Sequence, residues 1–302
     1  MSIVRLLAIA LAILMSSALH AAAALVDAAW LGANLNALGV VILDIQDAKD
    51  YKRFHVPGAV NAPYSAWRTS GKTGLPGMLP DVDRLEQLLG GLGILPQDQI
   101  VITATGRGAS DLASSARVFW TLKVLGHEKV AVLNGGLVDF SQQGHRLESG
   151  HQSRPRTEYQ AQPDAPLMLS ADDAKVLLDA KGQFVDARSE GEFVGLYKGD
   201  AKERAGTVPG SVHLPHDWVT VDGSARLRDV EELQRLFEAR GVAADGDQVH
   251  FCHSGNRAAL TWFAAYAVLG NERARLYDGS MMEWSRRKDL PMEAKIKLCE
   301  AC

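Results

Sequence analysis

The stretch VHFCHSGNRAAL, Val249 to Leu260, carries the decisive pattern of this chain. Val249 to Phe251 are strand-forming positions that end at Cys252. A short polar turn with Gly255 and Arg257 follows, and then a helix-forming run begins at Ala258. A strand that passes through a tight turn straight into a helix is the unit from which parallel α/β sheets are built.

The neighbouring sequence repeats that unit. The helix from Ala258 to Leu269 is closed by Gly270, and Ala274 to Tyr277 reads as the next strand. Upstream, Val230, Leu233, Leu236 and Phe237 make one apolar helix face, stopped at Gly241. Phe184 to Asp186 and Val212 to Leu214 are short strands, and Leu177 and Leu178 end an earlier helix. Leu85, Leu88 and Leu89 form a comparable helix face in the first half, ahead of a strand from Ile100 to Thr103. Strands alternating with helices predict an α/β fold with mostly parallel sheets and helices on both faces.

The chain also repeats itself at long range. VLGHEKVAVLNGGLVDF (124–140) matches VLGNERARLYDGSMMEW (268–284) at a constant offset of 144 positions. VILDIQDAKDYKRFHVPGAVNAPY (41–64) matches FVDARSEGEFVG…AGTVPGSVHLPH (184–216), the second copy carrying about ten more residues before Val208. A period of roughly 145 residues makes each copy a whole domain, far longer than a solenoid repeat. The expected organisation is a first domain over 25–148, a polar, proline-bearing linker over 149–167, a second domain over 168–290 and a tail over 291–302.

Composition narrows the function classes. At 302 residues, 47% apolar, 23% charged and with a formal charge of −4, the chain has neither a basic surplus nor a polybasic run, which excludes nucleic acid as a partner. Residues 1–24 read as an export signal: Arg5, an apolar core from Leu6 to Met15, and small residues at Ala21-Ala22-Ala23 suited to cleavage. The mature protein is therefore expected in the periplasm or outside the cell, without a membrane anchor. The three cysteines, Cys252, Cys299 and Cys302, are too few for a disulfide scaffold, so an apolar core must stabilise the fold.

A cysteine at a strand-to-helix junction of a parallel sheet lies where such folds bind ligands. The turn His253-Ser254-Gly255-Asn256-Arg257 is short enough for its backbone N–H groups to converge on an anion. The following helix adds the positive end of its dipole, and Arg257 adds a forked cation. These features stabilise a thiolate; the bland alternative is a small core hydrophobe.

Cys-His-Ser-Gly-Asn-Arg-Ala resembles the active-site loop of the rhodanese family, the thiosulfate and 3-mercaptopyruvate sulfurtransferases. Asp186-Ala187-Arg188, Val208-Pro209-Gly210-Ser211-Val212 and Asp278-Gly279…Glu283-Trp284 resemble its flanking motifs. The resemblance covers nearly the whole chain after the signal, as a tandem pair. It implies a sulfur relay in which Cys252 takes the outer sulfur of thiosulfate as a persulfide and passes it to cyanide or a thiol, with a protein acceptor as a further expectation. It implies donor binding by Arg188, Arg257 and the loop residues His253, Ser254, Gly255 and Asn256. Basic His253 and Arg257 favour thiosulfate over 3-mercaptopyruvate, whose enzymes tend to carry smaller, less basic loops.

The first copy has Thr103-Ala104-Thr105-Gly106-Arg107 at the corresponding place, without a cysteine, and Gln46 in place of Arg188. It is expected to be catalytically inactive and to wall the cleft. No cofactor is expected, and no HExxH or Cys/His cluster makes a metal site. His213 and His216 are expected to be structural, and His253 to line a rim. Cys299 and Cys302 have redox-motif spacing and are expected either to form a local disulfide or to exchange sulfur with Cys252. Two rival functions are a non-catalytic persulfide carrier and a Cys-based phosphatase or arsenate reductase. The Cys-x4-Arg spacing here is one residue shorter than the Cys-x5-Arg loop of the latter.

Overall fold

The computed structural model describes residues 24–70 and 74–296. The signal-like segment over 1–23 and the tail cysteines, Cys299 and Cys302, lie outside the described residues.

Two parallel sheets are formed. The first contains β1 (Leu25–Val26), β2 (Val40–Asp44), β3 (Val60–Asn61), β4 (Gln99–Thr103) and β5 (Val130–Leu133), in the order β1-β5-β4-β2-β3. The second contains β6 (Gln183–Asp186), β7 (Val212–His213), β8 (Gln248–Phe251) and β9 (Ala274–Leu276), in the order β7-β6-β8-β9. Every pairing between these strands is parallel. The place of β1 is taken in the second sheet by a single parallel bridge from Met168 to Leu276.

Both faces of each sheet are buried, which explains why these strands read as continuous apolar runs. Val41, Leu43, Ile100, Ile102, Val130 and Val132 face one core, whereas Ile42, Val101, Ala131 and Leu133 face another with Leu31, Tyr51, Leu137 and Phe140. The second sheet divides in the same way, with Phe184, Val249 and Phe251 packed on Met281 and Trp284, and Val185 on the opposite side. That opposite side is continuous with the first of the cores just described. One apolar core therefore runs through both domains.

The junction of that shared core is a helix pair. Helix Ala109–Val124 packs on helix Asn256–Phe263, with Phe119 and Phe263 edge to face at 4.9 Å between ring centroids. Phe119, Trp120, Trp262 and Phe263 are all buried. Each such side chain contributes about 1.5–3 kcal/mol through burial, so the two domains stabilise one another.

The segment between the copies is not a loose tether. Thr157 donates to Gly90 O, Gln162 to Leu125 O and Asp164 to Val124 O. Tyr159 is buried, and its hydroxyl lies 2.9 Å from His127 Nδ1.

Candidate functional site

Cys252 immediately follows β8, and helix Asn256–Phe263 begins four residues later. Gly255 makes the turn at φ 74°, and any side chain there would also meet Arg117 Nη1 at 2.4 Å. The thiol is 1% exposed, which a small core residue would also be. Its loop separates it from filler: His253, Ser254, Asn256 and Arg257 form a part-exposed rim around it.

The loop is held from below by Ser280. Its Oγ accepts the N–H of Cys252 and that of Gly255, both at 3.1 Å, and donates to Tyr277 O at 2.8 Å. Among the described residues, the amides of His253, Ser254 and Asn256 meet no protein acceptor. Three donors of one tight turn, the last at a helix N-terminus, remain for an anionic guest.

The first domain holds the loop from above. Arg68 Nη2 donates to Ser254 O at 2.6 Å, and the Tyr64 hydroxyl donates to Asn256 Oδ1. Arg117 reaches Gly255 O at 3.3 Å and Asp278 Oδ1 at 2.5 Å. Burial raises the Tyr64 phenol above its usual range, so it stays a donor at neutral pH. Sequence reasoning missed Tyr64, Arg68, Arg117 and Ser280. Only Ser280 had a local signal, because the 144-residue offset sets it against Gly136.

The charged residues expected around the thiol are already paired. Arg257 forks onto Glu192 at 2.7 and 2.8 Å. Burial alone would raise the Glu192 carboxyl, but Arg257 and Ser189 bring it down to about 2. His253 Nε2 lies 3.0 Å from a carboxylate oxygen of the buried Glu203. Glu203 belongs to the extra segment of the second copy. Gly199, in the same segment, approaches His253 so closely that a Cβ would lie 2.0 Å from Nε2.

Arg188 requires a correction. It was expected to hold the anionic end of a donor, yet its side chain is 4% exposed. Nε and Nη2 are spent on Asp186 at 2.6 to 3.1 Å, and Nη2 also donates to Gly206 O. Asp186 in turn accepts from Thr207 Oγ1. The pair fixes the end of β6 against the turn at Gly206. His213 Nε2 lies 2.9 Å from Arg188 O and the ring stacks on Phe193, a framework position.

The two copies superimpose in hydrogen bonding. Leu137 N donates to Ala104 O, and Met281 N to Cys252 O; Val138 N donates to Thr105 O, and Met282 N to His253 O. Ala104 therefore occupies the place of Cys252. Gln46 N and Arg188 N each donate to the preceding aspartate, Asp44 or Asp186, so Gln46 occupies the place of Arg188.

Two parallel sheets, with the one cysteine among the described residues in the loop after β8, define a duplicated α/β protein with a cysteine loop in its second half. The chain belongs to the rhodanese family: the rhodanese-like domain matches residues 27–143 and again 170–287. A Mycobacterium bovis protein named "Putative thiosulfate sulfurtransferase 1" is 30% identical over 277 residues, covering 89% of this chain and 97% of that one. The 3-mercaptopyruvate sulfurtransferase of Escherichia coli K12 is 29% identical over 286 residues, with 89% and 97% covered. The crystal structure of Escherichia coli SseA, described as a 3-mercaptopyruvate sulfotransferase with the rhodanese fold, matches with a TM-score of 0.76 at 27% identity, covering 86% of this chain and 99% of that one.

Proposed function

We propose that this chain is a thiosulfate sulfurtransferase, with 3-mercaptopyruvate as second choice of donor, that works through a persulfide on Cys252. Its relatives are named for both donors. The observation that carries the reading is the loop itself. A cysteine stands where the first copy has Ala104, and the amides of His253, Ser254 and Asn256 meet no acceptor among the described residues.

The first half-reaction forms a bond from Cys252 Sγ, as thiolate, to the outer sulfur of thiosulfate. The bond between the two sulfurs of thiosulfate breaks, and sulfite leaves with its electron pair. The persulfide left behind is anionic, and the loop amides can hold it. In the second half-reaction a thiolate or cyanide attacks the outer persulfide sulfur and Cys252 leaves as thiolate. The near-complete burial of the thiol keeps water from the intermediate. Donors reach it through the rim of His253, Ser254, Asn256 and Arg257.

Thiosulfate should add the mass of one sulfur atom to the Cys252 peptide and release one equivalent of sulfite. Cyanide or a small thiol should then discharge that sulfur catalytically. Loading without discharge to any small acceptor points to a carrier for a protein partner, and no loading from thiosulfate or 3-mercaptopyruvate overturns the reading. Export, with residues 1–24 removed, belongs to the same proposal and is tested by sequencing the N-terminus of the mature protein.

A further inference from the structure

We infer that Arg117, a residue of the domain without the nucleophile, is a positioning residue for the Cys252 loop. The inference rests on the reading of Cys252 as the sulfur-bearing thiol.

The domain interface has approximate two-fold symmetry. Leu79 N donates to Asp278 Oδ2 at 2.8 Å, and its counterpart Leu227 N donates to Asn134 Oδ1 at 2.8 Å. Asn134 and Asp278 are matched by the 144-residue offset. Each domain thus lays one segment over the loop of the other. Arg117 breaks the symmetry. Carried back into the helix, that offset sets it against Thr261, whose hydroxyl stays within its own domain on Ala258 O and beside His250 Nδ1. The offset of 148 that pairs Ala104 with Cys252 sets it against Ala265; neither is a cation. The nucleophile loop receives a guanidinium from across the interface, and Thr261 returns no cation to the first-copy loop.

The placement is costly for mere adhesion. Arg117 is 0% exposed, its Nε has no hydrogen-bond partner among the described residues, and its guanidinium lies 4.4 Å from the Trp120 ring centroid. An apolar side chain of similar volume would glue the interface at least as well. The fork of Arg117 instead grips both sides of the turn, with Gly255 O on one prong and the Asp278 carboxylate on the other. Asp278 stands two residues before Ser280, whose Oγ holds the Cys252 and Gly255 amides.

Tethering Gly255 O fixes the plane of the Gly255–Asn256 peptide. In a trans peptide the N–H points opposite to the carbonyl, so the Asn256 N–H is aimed away from Arg117. Arg117 thereby sets the direction of one of the loop amides that meet no acceptor among the described residues. A loop displaced by about 1 Å loses up to about 100-fold in rate.

The test compares wild type, Arg117→Met, Arg117→Lys and Asn134→Ala. Sulfur loading of Cys252 is followed by rapid quench and mass spectrometry over a range of thiosulfate, alongside iodoacetamide alkylation of the Cys252 peptide and thermal unfolding. Folded Arg117→Met should load about 10- to 100-fold more slowly at saturation, with KM within about 2-fold of wild type. Arg117→Lys keeps the charge and loses the fork, and should recover part of the rate. Asn134→Ala weakens the mirror contact and should lower Tm while loading at the wild-type rate. If Arg117→Met does not fold, Arg117→Lys decides: wild-type loading in it overturns the inference. Losses that follow Tm equally in Arg117→Lys and Asn134→Ala overturn it too. Wild type that alkylates but never loads sulfur fails the functional reading instead.

Discussion

Ser280 Oγ accepts the backbone N–H of Cys252 at 3.1 Å from a left-handed conformation, φ 48°. Its match in the first copy is Gly136 at φ 62°, where a Cβ would lie 2.7 Å from Ala104 O. The second domain accepts a strained serine and uses its hydroxyl to shape the loop. Ser280→Gly relieves the strain but strands two amides, at about 1–3 kcal/mol each. Ser280→Ala keeps the strain, worth about 1–2 kcal/mol, and strands the same amides. Tm should therefore fall in the order wild type, Ser280→Gly, Ser280→Ala, with sulfur loading reduced at least about 10-fold in both. A wild-type loading rate in Ser280→Gly removes the hydroxyl from the argument.

Asp44 and Gln46 carry a pH signature. Burial, only partly offset by hydrogen bonds from Gln46, pushes the Asp44 carboxyl up to about 7. A carboxyl raised in the folded state stabilises the fold fully below its ordinary value near 3.8, and that contribution is lost as pH rises to about 7. Urea midpoints of wild type should carry a downward component across this window, and Asp44→Asn should flatten it. An unchanged slope in Asp44→Asn refutes the assignment.

Much of this was legible in the sequence because it is local or periodic. The strand, turn and helix around Cys252 follow from residue order, and the duplication from the offset of Val124 to Val268. What was not legible is tertiary. Nothing near Tyr64, Arg68 or Arg117 indicates that they end on Asn256, Ser254 and Gly255 respectively, because those contacts exist only after two domains dock. The pairing of Arg188 is an exception, because it is local: Arg188 lies in the bend just after β6, where Asp186, two residues back, accepts both its backbone N–H and its guanidinium. A cation beside a carboxylate in a buried turn is committed before any substrate arrives.

Glu192 governs how much of the Arg257 charge a donor feels. Its carboxylate, held at about 2 chiefly by Arg257 against the effect of burial, stays ionised throughout the neutral range. The stabilisation from this pair is present above the ordinary value of 4.5 and lost as pH falls towards about 2. Glu192→Gln should lower KM for thiosulfate about 3- to 10-fold at low salt, with the gain fading as salt rises. The variant should also lose the pair's share of acid destabilisation below pH 4.5. A KM that is higher, or insensitive to salt, sinks this account.

Phe119 tests whether the two domains unfold as one body. Its ring meets Phe263 edge to face at 4.9 Å and lies 6.2 Å from Trp262, inside the core common to both sheets. Phe119→Ala should cost about 3–5 kcal/mol, the range for removing a large ring from a packed interior. Because Arg117 lies two residues earlier on the same helix and reaches Gly255, the loss should not stay in the first domain. Tryptophan fluorescence reports both domains, through Trp67 and Trp120 in one and Trp262 and Trp284 in the other. Alkylation of Cys252 reports only the second. The two probes should give one coincident transition in wild type, and in Phe119→Ala they should move down together. Two separate transitions, with the Cys252 probe unmoved, mean that the second domain holds its thiol loop without help.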